Sequence, residues 1–125
     1  IIRPMEITRV PCAEGFVEGA INLRGTIIPV INLRTRFGMP HKPQDAETRI
    51  INMEIDGLTL GFLVDKMGQV QRIPRKLVGG PPSLISSVDS EYIEGVCTLS
   101  DDRLLILLNM DKVLTPENLA QLAAL

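Results

Sequence analysis

Residues 16–23, Phe-Val-Glu-Gly-Ala-Ile-Asn-Leu, return as residues 92–99, Tyr-Ile-Glu-Gly-Val-Cys-Thr-Leu, so one segment is written twice. Each copy passes through a short turn, Arg24-Gly25 in the first and Ser100-Asp101-Asp102-Arg103 in the second. Each then enters an apolar run, Ile27–Leu33 or Leu104–Met110, with Asn32 and Asn109 at matching places. Two copies are too few for a solenoid, and a repeated unit fixes the architecture, so the chain reads as two similar subdomains packed together. The surface between such halves is a natural binding site.

A length of 125 residues fits one domain or two small lobes. A formal charge of −2 gives no electrostatic reason to bind nucleic acid or anionic lipid. The aromatic residues are Phe16, Phe37, Phe62 and Tyr92, too few for a base-stacking platform, so the core is aliphatic. The apolar run Leu104–Leu108 is far short of a membrane span, and no signal-peptide pattern opens the sequence. Cys12 and Cys97 lack metal-knuckle or redox spacing and read as free thiols in a reducing cytoplasm, a disulfide between them being the alternative.

Strand signals dominate. Ile50–Ile55 and Leu58–Val64 flank Asp56-Gly57, a dipeptide that closes tight hairpins because both residues tolerate positive φ. The repeated segments predict two further hairpins, the first closed by Arg24-Gly25. Asn32 is placed to cap one helical turn over 33–37 that Gly38 ends, and Ala13–Gly19 reads as another short turn. Thr115 as N-cap and Pro116 at N1 open a C-terminal helix over 115–125, expected to dock on a barrel. Residues 39–47 read as an exposed joining loop, and Val78–Ser90 as a long ordered one. The expected fold is therefore mainly β, two small barrels with short helices.

The order of these elements predicts an asymmetry. A hairpin over 50–64 and a connector precede the second copy, whereas only residues 1–15 precede the first. The expected division is 1–40 with C-terminal elements as a first barrel lacking its hairpin, and 48–114 as the second. The counterpart hairpin belongs roughly 25 residues upstream of Ile1. Truncation, or strand swapping and self-association, is the expected reason, since open sheet edges are unstable alone.

No nucleotide-binding, zinc-protease or nucleophile-elbow pattern is present, which predicts no enzyme, no metal and no cofactor. His41 sits alone in a Pro-rich loop, and the Asp101-Asp102 pair is explained by turn preference. Glu18, Glu91 and Glu94 lie near strand starts and read as solvated. The recurring Glu18-Gly19 and Glu94-Gly95 read as architectural, the glycines permitting close packing. Asn22, Arg24 and Gly25 are confined to the first copy, and an Arg on a stiff two-residue turn presents a fixed guanidinium fork. A plain surface Arg is the competing reading. Pro29, in place of Ile106, puts that strand at an edge or bulge.

The run Glu18–Gly38, with its Asn-Leu-Arg-Gly block followed by Ile-Ile-Pro-Val, closely resembles the signature of the CheW family of bacterial chemotaxis coupling proteins. The similarity continues through Gly61–Asp65, Tyr92–Gly95 and Leu104–Leu114. The resemblance implies two five-stranded, SH3-like barrels and a non-enzymatic cytoplasmic adaptor recruited to membrane receptor arrays. Its implied partners are the cytoplasmic tips of chemoreceptors (methyl-accepting chemotaxis proteins) and the CheW-like regulatory domain of the histidine kinase CheA. By position, the implied receptor-binding residues are Ile2, Gly19, Arg24, Gly25, Val64, Asp65, Met67 and Val70, in a groove between the barrels. The implied kinase-binding residues are Ile27, Gly79, Ser83 and Leu84. Alternatives are a CheW-like module of a larger protein, either a CheV-type adaptor or the kinase's own domain, and a generic SH3-like peptide binder.

Overall fold

The computed structural model describes residues 7–9, 15–80, 90–99 and 103–125. The chain divides into two compact units, Ile1–Gly68 with Thr115–Leu125, and Gln69–Leu114.

In the first unit, β1 (Val17–Leu23) and β2 (Thr26–Asn32) form the predicted hairpin about Arg24-Gly25. A second hairpin joins β3 (Arg49–Ile55) and β4 (Leu58–Val64) about Asp56-Gly57. Asp56 (φ 50°) and Gly57 (φ 79°) are both left-handed, as this turn demands. The hairpins join through β2 and β4, which run parallel with Val30 opposite Gly61, giving the order β1-β2-β4-β3. Ile21, Ile28, Val30, Ile50 and Leu63 form a buried aliphatic cluster, with Ile7 and Leu23 packed on it. Each such side chain contributes about 1.5–3 kcal/mol through burial.

This sheet corrects the expected division. The 49–64 hairpin lies in one sheet and one compact unit with the first copy, not with residues 69–114. Local turn chemistry encodes each hairpin but not which hairpin lies beside which. Gly61, opposite Val30 in that ladder, has little room for a side chain, because a Cβ would stand 2.9 Å from Ile50 Cγ2 of its own hairpin.

Pro29 does not mark an edge strand as expected, since β2 lies between β1 and β4; it sits where neither neighbour needs its nitrogen. The two-residue turn makes Leu23–Thr26 a hydrogen-bonded pair, so by alternation Ala20–Pro29 is not one. The Pro29 nitrogen therefore points away from β1, and the β2–β4 ladder begins only at Val30. No ladder bond is lost.

The second unit carries β5 (Ile93–Thr98) and β6 (Leu104–Leu108), an antiparallel pair closed by Leu99 N donating to Arg103 O at 2.8 Å. The predicted Asp101-Asp102 turn lies outside the described residues, as does most of the Val78–Ser90 loop.

The duplication reaches individual hydrogen bonds. Asn32 N donates to Phe16 O at 2.8 Å, and Asn109 N donates to Tyr92 O at 2.8 Å. Both first strands shift register at the Glu-Gly step, between Val17 and Gly19 and between Ile93 and Gly95. Beyond each glycine a third segment bridges the strand: Thr8 pairs with Ala20, and Gly79 with Val96.

Short helices follow each copy. Asn32 caps α1 (Leu33–Arg36), accepting from Thr35 N at 3.2 Å, and Gly38 (φ 74°) follows the C-cap as predicted. α2 (Met110–Val113) was not predicted, although the repeat, with Asn109 in the place of Asn32, pointed to it. Thr115 caps α3 (Pro116–Ala123) in a capping box with Asn118, and Pro116 opens it as predicted. α3 belongs to the first unit and buries Asn118 and Leu122.

Candidate functional site

The Arg24 turn is the most distinctive feature of the first unit. Arg24 has φ 53° and Gly25 φ 83°, so an arginine occupies a left-handed position usually given to Asn, Asp or Gly. Asn22 Oδ1 accepts from Gly25 N at 2.9 Å, bracing the turn from the strand before it. The three residues confined to the first copy thus form one device. Arg24 is exposed, and its guanidinium makes no hydrogen bond or ion pair with a described residue. Three residues on, Ile27 is 57% exposed, opposite Asn22 in the ladder.

A second feature lies where β4 ends. Val64 is half-buried, and Asp65 Oδ2 accepts from an Arg34 guanidinium nitrogen at 2.8 Å. Arg34 Nε donates to Pro40 O at 2.8 Å, so one side chain ties α1, the following loop and the end of β4. A surface hollow of about 220 Å³ adjoins, lined by Leu33, Phe37, Met39, Leu63 and Val64 together with that ion pair. Beyond Asp65 the chain is exposed from Lys66 to Arg72, with Met67 at 37% and Val70 at 99% exposure.

Because β2 and β4 are parallel, Arg24-Gly25 and Val64-Asp65 lie at opposite ends of that strand pair. The separation along the strands from Gly25 to Val64 is about 26 Å at the usual rise per residue. Arg24-Gly25 instead shares its end with the Asp56-Gly57 turn. Val70 falls in the second unit. Gly19 is buried and offers no partner surface; a Cβ there would lie 2.2 Å from Thr8 O. Gly79 is exposed and engaged in its bridge to Val96. Ile2, Ser83, Leu84 and Cys12 lie outside the described residues; Cys97 is a buried free thiol.

Sequence reasoning missed Arg34, quoting it only within the family run. It also misread Glu18 as solvated: Asn32 Nδ2 donates to Glu18 Oε1 at 2.7 Å, so the carboxylate steadies the residue that caps α1. The recurrence of Glu with Asn in both copies was the available signal.

A family model described as the CheW-like domain matches residues 1–117. The chain belongs to the CheW-like domain family. It is 30% identical to the chemotaxis protein CheW of Treponema pallidum over 129 aligned residues, covering 100% of this chain and 75% of that protein. It is 36% identical to CheW of Thermotoga maritima over 114 residues, covering 91% of this chain and 73% of that one. The crystal structure of the scaffolding protein TtCheW from Thermoanaerobacter tengcongensis superposes with a TM-score of 0.82 at 33% identity, covering 94% of this chain and 75% of that one. This CheW-like chain is a chemotaxis adaptor of mainly β architecture. Among the described residues, no helix is long and apolar enough to cross a membrane.

Proposed function

We propose that this chain is a non-enzymatic, cytoplasmic coupling protein that joins the helical tip of chemoreceptors to the CheW-like regulatory domain of the histidine kinase CheA. The observation that carries this reading is Arg24: a strained left-handed arginine, exposed, braced by Asn22, and with no described partner of its own. Backbone strain of this kind costs about 1–3 kcal/mol and persists where a function requires the side chain. Membership in a family of chemotaxis scaffolds supplies the class of partner.

The separation of Arg24-Gly25 from Val64-Asp65 fits an elongated partner. A helix rising 1.5 Å per residue spans about 26 Å in some 17 residues, so one receptor helix reaches both features. Arg24 supplies the charged anchor, and Val64, Met67 and Val70 the apolar contact. Exposed Ile27 supplies a contact for the kinase domain, and the family resemblance adds Gly79, Ser83 and Leu84 to that set. Each contact surface gives about micromolar affinity, and array avidity supplies the rest.

The test is capture of the chain by a receptor-tip fragment and, separately, by the kinase regulatory domain. Arg24→Glu abolishes the first and spares the second, whereas Ile27→Lys does the reverse. Unchanged receptor capture by the Arg24→Glu protein discards the anchor role.

A further inference from the structure

Arg34 differs from every residue the family resemblance put forward. It sits on α1, half-buried, and its side chain is held twice, by Pro40 O through Nε and by Asp65 through a terminal nitrogen, each at 2.8 Å. Its counterpart in the second copy is Asp111, so duplication of the fold does not require it. Asp65 is the last residue before a run, Lys66–Ile73, that belongs to no strand or helix and makes no hydrogen bond with a described residue. That run exposes Met67 and Val70. The Arg34–Asp65 bond is thus the last side-chain tether before the exposed strip.

We propose that Arg34 is a positioning residue for receptor binding, acting through Asp65. This rests on the receptor-facing reading of Asp65, Met67 and Val70. With Nε anchored on Pro40 O, a terminal nitrogen of Arg34 holds Asp65 Oδ2, which leaves Oδ1 to accept from a donor on the partner. It also fixes the point from which Met67 and Val70 set out. The partner this suits is an amphipathic helix with an aliphatic face and a hydroxyl, amide or cationic donor beside it. A compact ammonium cannot reproduce the two-point hold, because Lys presents a single charged centre on a flexible stem.

The experiment is titration calorimetry of the full 125-residue chain with a soluble helical-hairpin fragment of a chemoreceptor cytoplasmic tip, alongside thermal melts. Arg34→Ala, Asp65→Ala, the double variant and Arg34→Lys are compared with Arg24→Glu. Arg34→Ala is expected to weaken binding about five- to tenfold, and Arg34→Lys to restore only part of that. The double variant binds no more weakly than Asp65→Ala alone, which a merely stabilising role for Arg34 does not produce. The inference is overturned if Arg34→Ala costs as much affinity without Asp65 as with it, or if it costs none while Arg24→Glu abolishes binding. Should Asp65→Ala and Arg24→Glu both leave affinity unchanged, the receptor-facing reading itself fails and the positioning role falls with it. If Arg34→Ala does not fold, the Arg34→Lys and Asp65→Asn pair carries the same non-additivity test.

Discussion

A Cβ placed on Gly19 would lie 2.2 Å from the carbonyl oxygen of Thr8, against which Ala20 N donates at 2.8 Å. In the other copy a Cβ on Gly95 would lie 2.4 Å from Val78 Cγ1 and 3.0 Å from Gly79 O. The recurring glycine is therefore the point at which a third segment closes on the first strand of each hairpin.

Gly19→Ala is accordingly expected to cost about 2–3 kcal/mol, since the obstacle is backbone and the residue has φ 152°. Gly95→Ala costs less, about 1–2 kcal/mol, because part of its obstacle is a side chain. Gly68→Ala, with nothing within 4 Å of the added methyl, serves as the control. Urea melts of the three proteins check the order. Equal stability of the Gly19 and Gly68 variants refutes the close-approach account.

Arg24→Asn exchanges a strained left-handed residue for one that tolerates the conformation. It is expected to raise stability by about 0.5–1 kcal/mol while weakening receptor-tip binding. Calorimetric melts and binding titrations on one preparation separate the two effects, and a loss of stability contradicts the strain argument.

Asn22→Ala removes the side-chain acceptor of Gly25 N. About 0.5–1 kcal/mol is lost, and Gly25 amide exchange accelerates, whereas Asn22→Asp retains both. Exchange rates at Gly25 that do not differ among the three proteins exclude the brace.

The two capping asparagines are not equivalent. Asn32 is buried, bonds Glu18 Oε1 at 2.7 Å and accepts from Thr35 N at 3.2 Å, whereas Asn109 makes no side-chain cap bond. Asn32→Ala is expected to cost about 2–3 kcal/mol and Asn109→Ala about 0.5 kcal/mol or less, read from denaturant midpoints. Similar costs would show that the Glu18 bond stabilises nothing.

What the amino-acid order determined was local. Asp56-Gly57 and Arg24-Gly25 encode their turns, Asn32 and Thr115 their helix starts, and Pro29 the absence of a ladder bond, because each depends on a few neighbouring dihedral angles and donors. The repeat, too, is written in the chain, and so is the family. Only the folded structure decided that β4 lies against β2, taking the 49–64 hairpin into the first copy's sheet. It alone set Arg24 and Asp65 at opposite ends of that strand pair, buried Gly19, and joined Arg34 to Asp65. These relationships connect groups many residues apart through strand pairing and side-chain geometry, and no local pattern of residues states which distant backbone edge will be the partner.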